Sequence, residues 1–151
     1  MKLQKILSNF QKLHPKEIDL SLDRIKNLCE KLGNPQNNIK CIQVCGTNGK
    51  GSTISFLHSI LKEAKIKCNV YTSPHVRSIN ERFIYNDKII SDDELAELLK
   101  EVEDVNDGQP LTYFEALTAA FFYGCQKYKD NIVLAAVSYT HLRAHETVLD
   151  L

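Results

Sequence analysis

Apolar positions along the chain follow two rhythms. Leu3, Ile6, Leu7, Phe10 and Leu13 recur at helical spacing, so residues 2–13 read as an amphipathic helix that His14-Pro15 ends. Leu22, Ile25, Leu28, Cys29 and Leu32 make a second such face, with Ser21 placed to cap it and Gly33 to stop it. Residues 34–38 are a polar connection to the run Ile39-Lys40-Cys41-Ile42-Gln43-Val44-Cys45, which reads as a short buried strand. Helical spacing returns with Ile54, Leu57, Ile60, Leu61 and Ala64, and residues 67–71 form a second strand. Strand, loop, helix and strand in that order imply a parallel crossover. Arg82-Phe83-Ile84-Tyr85 and Lys88-Ile89-Ile90, separated by Asn86-Asp87, predict a small hairpin. Ser91-Asp92-Asp93-Glu94 is a capping box opening a helix to about Val105, and Asp107-Gly108-Gln109-Pro110 breaks the chain. Residues 112–128 form a strongly apolar helix, and residues 131–135 begin another buried strand.

The chemistry concentrates between the first strand and its helix. Gly46, Thr47, Asn48, Gly49, Lys50, Gly51 and Ser52 form a glycine-rich turn of the pattern Gly-x-x-Gly-Lys-Gly-Ser. That spacing is two residues tighter than the common G-x-x-x-x-G-K-[ST] loop. Glycines let the backbone turn tightly and approach phosphate oxygens, and the first amides of the helix point at the anion. Lys50 would set a positive charge against the outer phosphates, and the Ser52 hydroxyl could hold Mg2+. An ordinary glycine turn would also join a strand to a helix, but it would not need the lysine and hydroxyl at these offsets.

Two further positions carry competing readings. Thr72-Ser73-Pro74-His75 follows a strand's carboxyl end, where open α/β sheets place ligand residues. Ser73 there could reach a metal held by the phosphate loop; a plain Ser-Pro turn is the alternative. Glu115 interrupts an apolar, aromatic segment near a helix start, where a carboxylate can simply serve the helix dipole. Glu94, Glu97, Glu101, Glu103 and Asp104 read as a solvated helix face.

Composition adds limits. The 151 residues suffice for one domain with a core, and Lys+Arg and Asp+Glu both number 19, which gives no global electrostatic case for nucleic acid or a membrane surface. Nothing at the start of the sequence resembles a signal peptide, and no apolar run is long enough to span a bilayer. The five cysteines (Cys29, Cys41, Cys45, Cys68 and Cys125) form no C-x-x-C pair and sit inside apolar patterns, as expected of reduced, buried thiols in a cytoplasmic protein.

Val137-Ser138-Tyr139-Thr140-His141-Leu142-Arg143-Ala144-His145-Glu146-Thr147 resembles the in-frame translation of a transposase-type sequencing adaptor, with Ala136 as a hybrid codon. That resemblance implies that natural sequence ends near Ala135 and that residues 136–151 are adaptor read-through. His141 and His145, spaced i, i+4, would otherwise suggest a zinc site.

From about Leu13 to Ala135 the chain resembles the amino-terminal part of folylpolyglutamate synthase / dihydrofolate synthase, in the Mur ligase superfamily. The resemblance rests on Leu13-His14-Pro15, Ile18-Asp19-Leu20-Ser21-Leu22-Asp23-Arg24-Ile25, Leu32-Gly33-Asn34-Pro35 and the glycine loop. It continues in Tyr71-Thr72-Ser73-Pro74-His75, Asn80-Glu81-Arg82 and Leu111-Thr112-Tyr113-Phe114-Glu115. The glycine loop alone indicates the superfamily; the segments at Asp19 and Thr112 narrow it to the folate branch. The resemblance implies an α/β fold with a P-loop and a mostly parallel, doubly wound sheet, the Mur ligase central ATPase domain, truncated. It implies an ATP- and Mg2+-dependent ligase that activates a pterin or folate carboxylate as an acyl phosphate for attack by L-glutamate. In that family's terms Lys50 is catalytic and residues 46–52 hold the nucleotide. Ser52 and Ser73 hold Mg2+, while Asp19, Leu20, Ser21, Thr112, Tyr113, Phe114 and Glu115 contact the pterin or folate. Many relatives carry glycine at the position of Ser21, and the roles of His75 and Arg82 stay open. The family continues past this strand with a magnesium-binding glutamate that here falls at Ala136. A later metal histidine, a carbamylated lysine and a carboxy-terminal domain are also missing. The expectation is a partial ligase domain over residues 1–135, inactive and poorly soluble alone, from a monomeric parent. Another Mur-type amino-acid ligase and a non-catalytic nucleotide-binding module are the alternatives.

Overall fold

The computed structural model describes residues 2–14 and 21–136, so Asp19, Leu20 and the adaptor-like tail lie outside the described residues. Among the described residues, five α-helices and five strands follow one another as α1 (Lys2–Lys12), α2 (Asp23–Lys31), β1 (Lys40–Val44), α3 (Lys50–Glu63), β2 (Cys68–Thr72), β3 (Phe83–Tyr85), β4 (Lys88–Ile89), α4 (Asp92–Asn106), α5 (Tyr113–Cys125) and β5 (Ile132–Ala136). Short 3-10 turns at Pro35–Asn38, Ile79–Arg82 and Gln126–Tyr128 join them.

The strands form one sheet in the order β1-β5-β2-β3-β4. β5 runs parallel to both β1 and β2, while β3 and β4 add an antiparallel hairpin at the far edge. The expected crossover from β1 to β2 is therefore present, but β5 sits between them. Its sequence, Ile-Val-Leu-Ala-Ala, suits a strand covered on both faces. Side chains alternate with period two across the sheet. Cys68, Val70, Leu134 and Ala136 pack with Ile54 of α3 on one face. Tyr71, Phe83 and Val133 join the larger core built with α1, α2, α4 and α5 on the other. Helices thus cover both faces, as a doubly wound sheet requires.

Several local readings need correction. β1 is an edge strand rather than a buried one, with Ile42 43% exposed. Ser21 does not cap α2: Leu22 takes the cap position, with no side-chain hydrogen bond there. Gly33 does stop that helix, at a φ of 80°, and its amide reaches back to the Glu30 carbonyl. Cys45 is exposed just past β1, unlike the buried Cys29, Cys68 and Cys125; all five cysteines are free thiols. Large apolar side chains left exposed include Phe56 and Ile60 of α3, Ile42 of the β1 edge, Val76 in the loop after β2 and Ile89 of β4; the central strand β5 is flanked on both sides.

Candidate functional site

The glycine loop leaves the carboxyl end of β1 and winds into α3. The helix begins at Lys50, earlier than the apolar spacing suggests, because residues 50–52 make a first turn that contributes nothing to the core. Gly46 and Gly49 hold φ values of 149° and 77°, a region that side chains disfavour, so the bend depends on both. Gly49 occupies the cap position, and its carbonyl receives the Thr53 amide at 2.9 Å. Among the described residues, the amides of residues 46–52 donate to no protein acceptor. A fourteen-residue helix therefore starts with its orphan donors gathered under a loop that has no side chains at its bends. Lys50 folds back over this cradle: Nζ donates to the Gly46 carbonyl at 2.7 Å and to the Thr47 carbonyl at 3.3 Å. The ammonium thus stands over the mouth of the loop, partly exposed to solvent.

Ser73 lies one residue past β2, and its amide donates to the Ala136 carbonyl at 3.1 Å. Ala136 closes β5 in register with Val44 on one side and Thr72 on the other. Ser73 and the glycine loop consequently emerge at the same end of the sheet, with Ala136 on the strand between them. The loop after Ser73 is tied down by Glu81, whose carboxylate accepts from the amides of Val76, Arg77 and Ser78 at 2.9, 3.1 and 3.2 Å. The Val76 amide, followed by the other two, holds the Glu81 carboxyl below its ordinary range. Arg82, the next residue, donates from Nε to His75 Nδ1 at 2.8 Å.

The substrate-binding candidates of the apolar helix sit in its first turn. Thr112 caps α5 and forms a capping box with Glu115, whose carboxylate accepts from the Thr112 amide at 2.8 Å. The same carboxylate receives Arg24 of α2 in a bidentate pair, Nε at 3.2 Å and Nη2 at 3.1 Å. Glu115 therefore joins α2 to α5 as well as capping its own helix. The sequence marks Arg24 only as part of a family segment, because its distance from Glu115 along the chain hides the pair. Tyr113 and Phe114 are half-buried against the large core. Burial raises the Tyr113 hydroxyl above its ordinary pKa, and the positive charge of Arg82 partly offsets that rise. Ser21 is half-buried at the entrance to α2.

No protein-family model matches the chain. It is 39% identical over 121 residues to the dihydrofolate synthase/folylpolyglutamate synthase of Bacillus subtilis, a match covering 75% of this chain and 28% of that protein. The bifunctional folylpolyglutamate synthase/dihydrofolate synthase of Yersinia pestis, solved with AMPPNP and a Mn ion, superimposes with a TM-score of 0.82 at 31% identity. That superposition covers 91% of this chain and 33% of that one. Escherichia coli FolC, solved with DHPP and ADP, gives a TM-score of 0.78 at 32% identity, over 89% of this chain and 32% of that one. The chain is homologous to part of the dihydrofolate synthase/folylpolyglutamate synthases. It spans about a third or less of the length of these relatives.

The α/β sheet described above is the Mur ligase fold of the folylpolyglutamate synthases, as its sequence resemblance implied. Within it, the donor set fits a nucleoside triphosphate: amides without protein partners, a cationic side chain over them, and two hydroxyl-bearing residues at the same sheet end. For a divalent cation the fit is narrower. Among the described residues no group of three or more His, Cys, Asp or Glu side chains could hold one. Ser52 and Ser73 would share it with phosphate oxygens, an arrangement that suits Mg2+, which keeps few protein ligands.

Proposed function

We propose that the longer protein represented by this chain is an ATP-dependent ligase that joins L-glutamate to dihydropteroate, to folate polyglutamates or to both through an acyl phosphate, in the cytoplasm and as a monomer. One observation carries this reading. The glycine loop presents unpartnered amides and Lys50 at the carboxyl end of a sheet whose next strand delivers Ser73 to the same place.

Phosphoryl transfer asks a protein for positioning and charge neutralisation. The amides of residues 46–52 would hold the phosphate oxygens, with Gly46 and Gly49 keeping that approach clear. Lys50 would exchange the Gly46 and Thr47 carbonyls for phosphate oxygens and neutralise charge there. Magnesium, held by Ser52 and Ser73, would supply further charge neutralisation when bound. Asp19, Leu20 and Ser21 would receive the pterin or folate together with the first turn of α5. Phe114 and Tyr113 there offer aromatic faces for a flat ring. Thr112 and Glu115 fix that turn through the capping box, and Arg24 locks it to α2. With Ala136 in place of a carboxylate at the centre of the site, the chain itself binds nucleotide and does not catalyse ligation. Residues 1–135 are a partial ligase domain in this reading, and residues 136–151 are adaptor read-through.

The test has two arms. Glutamate-dependent ADP release by the uninterrupted parent should require dihydropteroate or a folate; turnover with muramyl precursors instead would transfer the protein to another Mur-type ligase. The purified chain should bind Mg-ATP without releasing ADP, and detectable glutamate ligation would overturn its assignment as inactive.

A further inference from the structure

Arg82 closes the turn Ile79–Arg82 beside the end of β2 and is only 9% exposed. Its Nε donates to His75 Nδ1 at 2.8 Å, and its positive charge acts on the buried Tyr71 hydroxyl, which pairs with Thr118 at 3.3 Å. His75 accepts as an imidazole rather than a carboxylate, and Arg82 makes no ion pair among the described residues. Burying a guanidinium without a counter-ion is costly, so its surroundings favour the arrival of an anion.

The bond to His75 has a definite chemical consequence. An arginine Nε always carries its proton, so Nδ1 of His75 must accept and the ring proton must sit on Nε2. The imidazole is held as a neutral donor on the edge facing away from Arg82. Its loop is anchored on both sides, by Ser73 on the Ala136 carbonyl and by Glu81 on the amides of Val76, Arg77 and Ser78.

We propose that Arg82 is a positioning residue that fixes His75 as an Nε2–H donor to an oxyanion of bound substrate, a carboxylate or a terminal phosphate, at the carboxyl end of β2. This rests on the ligase reading and adds to it a polar contact that neither the glycine loop nor the first turn of α5 supplies.

The full chain itself provides the test. Long-range 1H–15N spectra at neutral pH should show the His75 proton on Nε2 and a hydrogen-bond coupling between Arg82 Nε and His75 Nδ1. Separate titrations with Mg-ATP and with dihydropteroate distinguish the two oxyanion sources, because the received ligand moves the Nε2–H resonance. His75→Gln sets an amide N–H near the Nε2 position and should keep affinity for that ligand within about threefold. His75→Asn places the amide near Nδ1 and should weaken binding about tenfold. Arg82→Lys retains the charge, loses the Nε donor and should weaken it by a similar factor. A proton on Nδ1 overturns the proposal. So does binding that moves residues 46–52 but leaves His75 unmoved and the three variants at wild-type affinity; the ligase reading would survive either result. Failure of both ligands to bind would overturn the two together.

Discussion

At the amino end of β2, the Asp87 carboxylate receives His58 of α3 and the Cys68 amide on Oδ1, at 3.0 and 3.2 Å, and pairs with Lys67 on Oδ2 at 3.2 Å. Beside it the Asn69 side-chain oxygen accepts from the Asn86 amide and from Asn131 at 2.9 and 3.0 Å. At the carboxyl end of the same sheet, the loop amides of residues 46–52 lack acceptors among the described residues, and Arg82 lacks an ion-pair partner there. Both ends carry loops with positive-φ residues. They differ in how far their capacity is used within the fold: at the amino end the Asn69 amide nitrogen is left without a hydrogen bond and Asp87 Oδ2 has only its ion pair with Lys67, while at the carboxyl end a whole run of amides is left waiting.

The sharpest break of that contrast is Lys50→Ala. It should lower Mg-ATP affinity on the order of a hundredfold, the scale of losing a charged donor to a phosphate, and leave the melting temperature nearly unchanged. Titration calorimetry and a thermal melt on one preparation decide it. A variant that unfolds while still binding nucleotide would reverse the two roles. Asp87→Ala should do the opposite. Removing the carboxylate orphans the Cys68 amide and leaves Lys67 and His58 unpaired, at a cost of about 2–3 kcal/mol in denaturant unfolding. Nucleotide affinity of the folded chain should not move.

The two ends were unequally legible in the sequence. The carboxyl end could be read because its chemistry is local: glycines, Lys50 and Ser52 fall within one turn, and Ser73 directly follows a strand. The amino end could not, because Asp87 meets His58 and Lys67 from separate elements, and no spacing rule links them. The same holds for Arg24 and Glu115, which meet between α2 and α5. The capping box at Ser91 is visible in the sequence, since cap and partner lie three residues apart; the one at Thr112 has the same spacing, but the sequence there reads only as a first turn with a dipole-serving Glu115. The insertion of β5 between β1 and β2 is tertiary information, hinted at by the Ile-Val-Leu-Ala-Ala run alone.

Ala136 lets the contrast be altered deliberately. It is 2% exposed, at the end of the central strand between the glycine loop and Ser73. Ala136→Glu would bury a carboxylate there with no cation to pair it, so stability should drop by about 2 kcal/mol in the metal-free chain. Mn2+ with AMPPNP should restore it, and the melting temperature should become cation-dependent. A variant whose melt ignores Mn2+ would remove Ser52, Ser73 and position 136 from a common metal site.

The smallest effect concerns acid. Burial by itself would raise the Asp87 carboxyl, but the His58 hydrogen bond, then the Lys67 contact and the Cys68 amide, outweigh it and hold the group below its ordinary range. A carboxyl whose folded value lies under its unfolded value stabilises the fold fully above the unfolded pKa, about 3.9 for aspartate, and loses that contribution as pH falls through the lower folded value. Wild type and Asp87→Ala should therefore differ most in urea at pH 5 to 6 and converge as pH falls below the unfolded value of about 3.9. The Glu81 carboxyl is also depressed, by the Val76, Ser78 and Arg77 amides, but it lies at the ligand end. Its protonation should loosen the loop carrying Ser73 and His75, visible as faster amide exchange at residues 76–78, with little change in global stability. If acid instead unfolds wild type and Asp87→Ala in parallel, the amino-end cluster does not pin the fold, and the division between paired and waiting ends fails on that side.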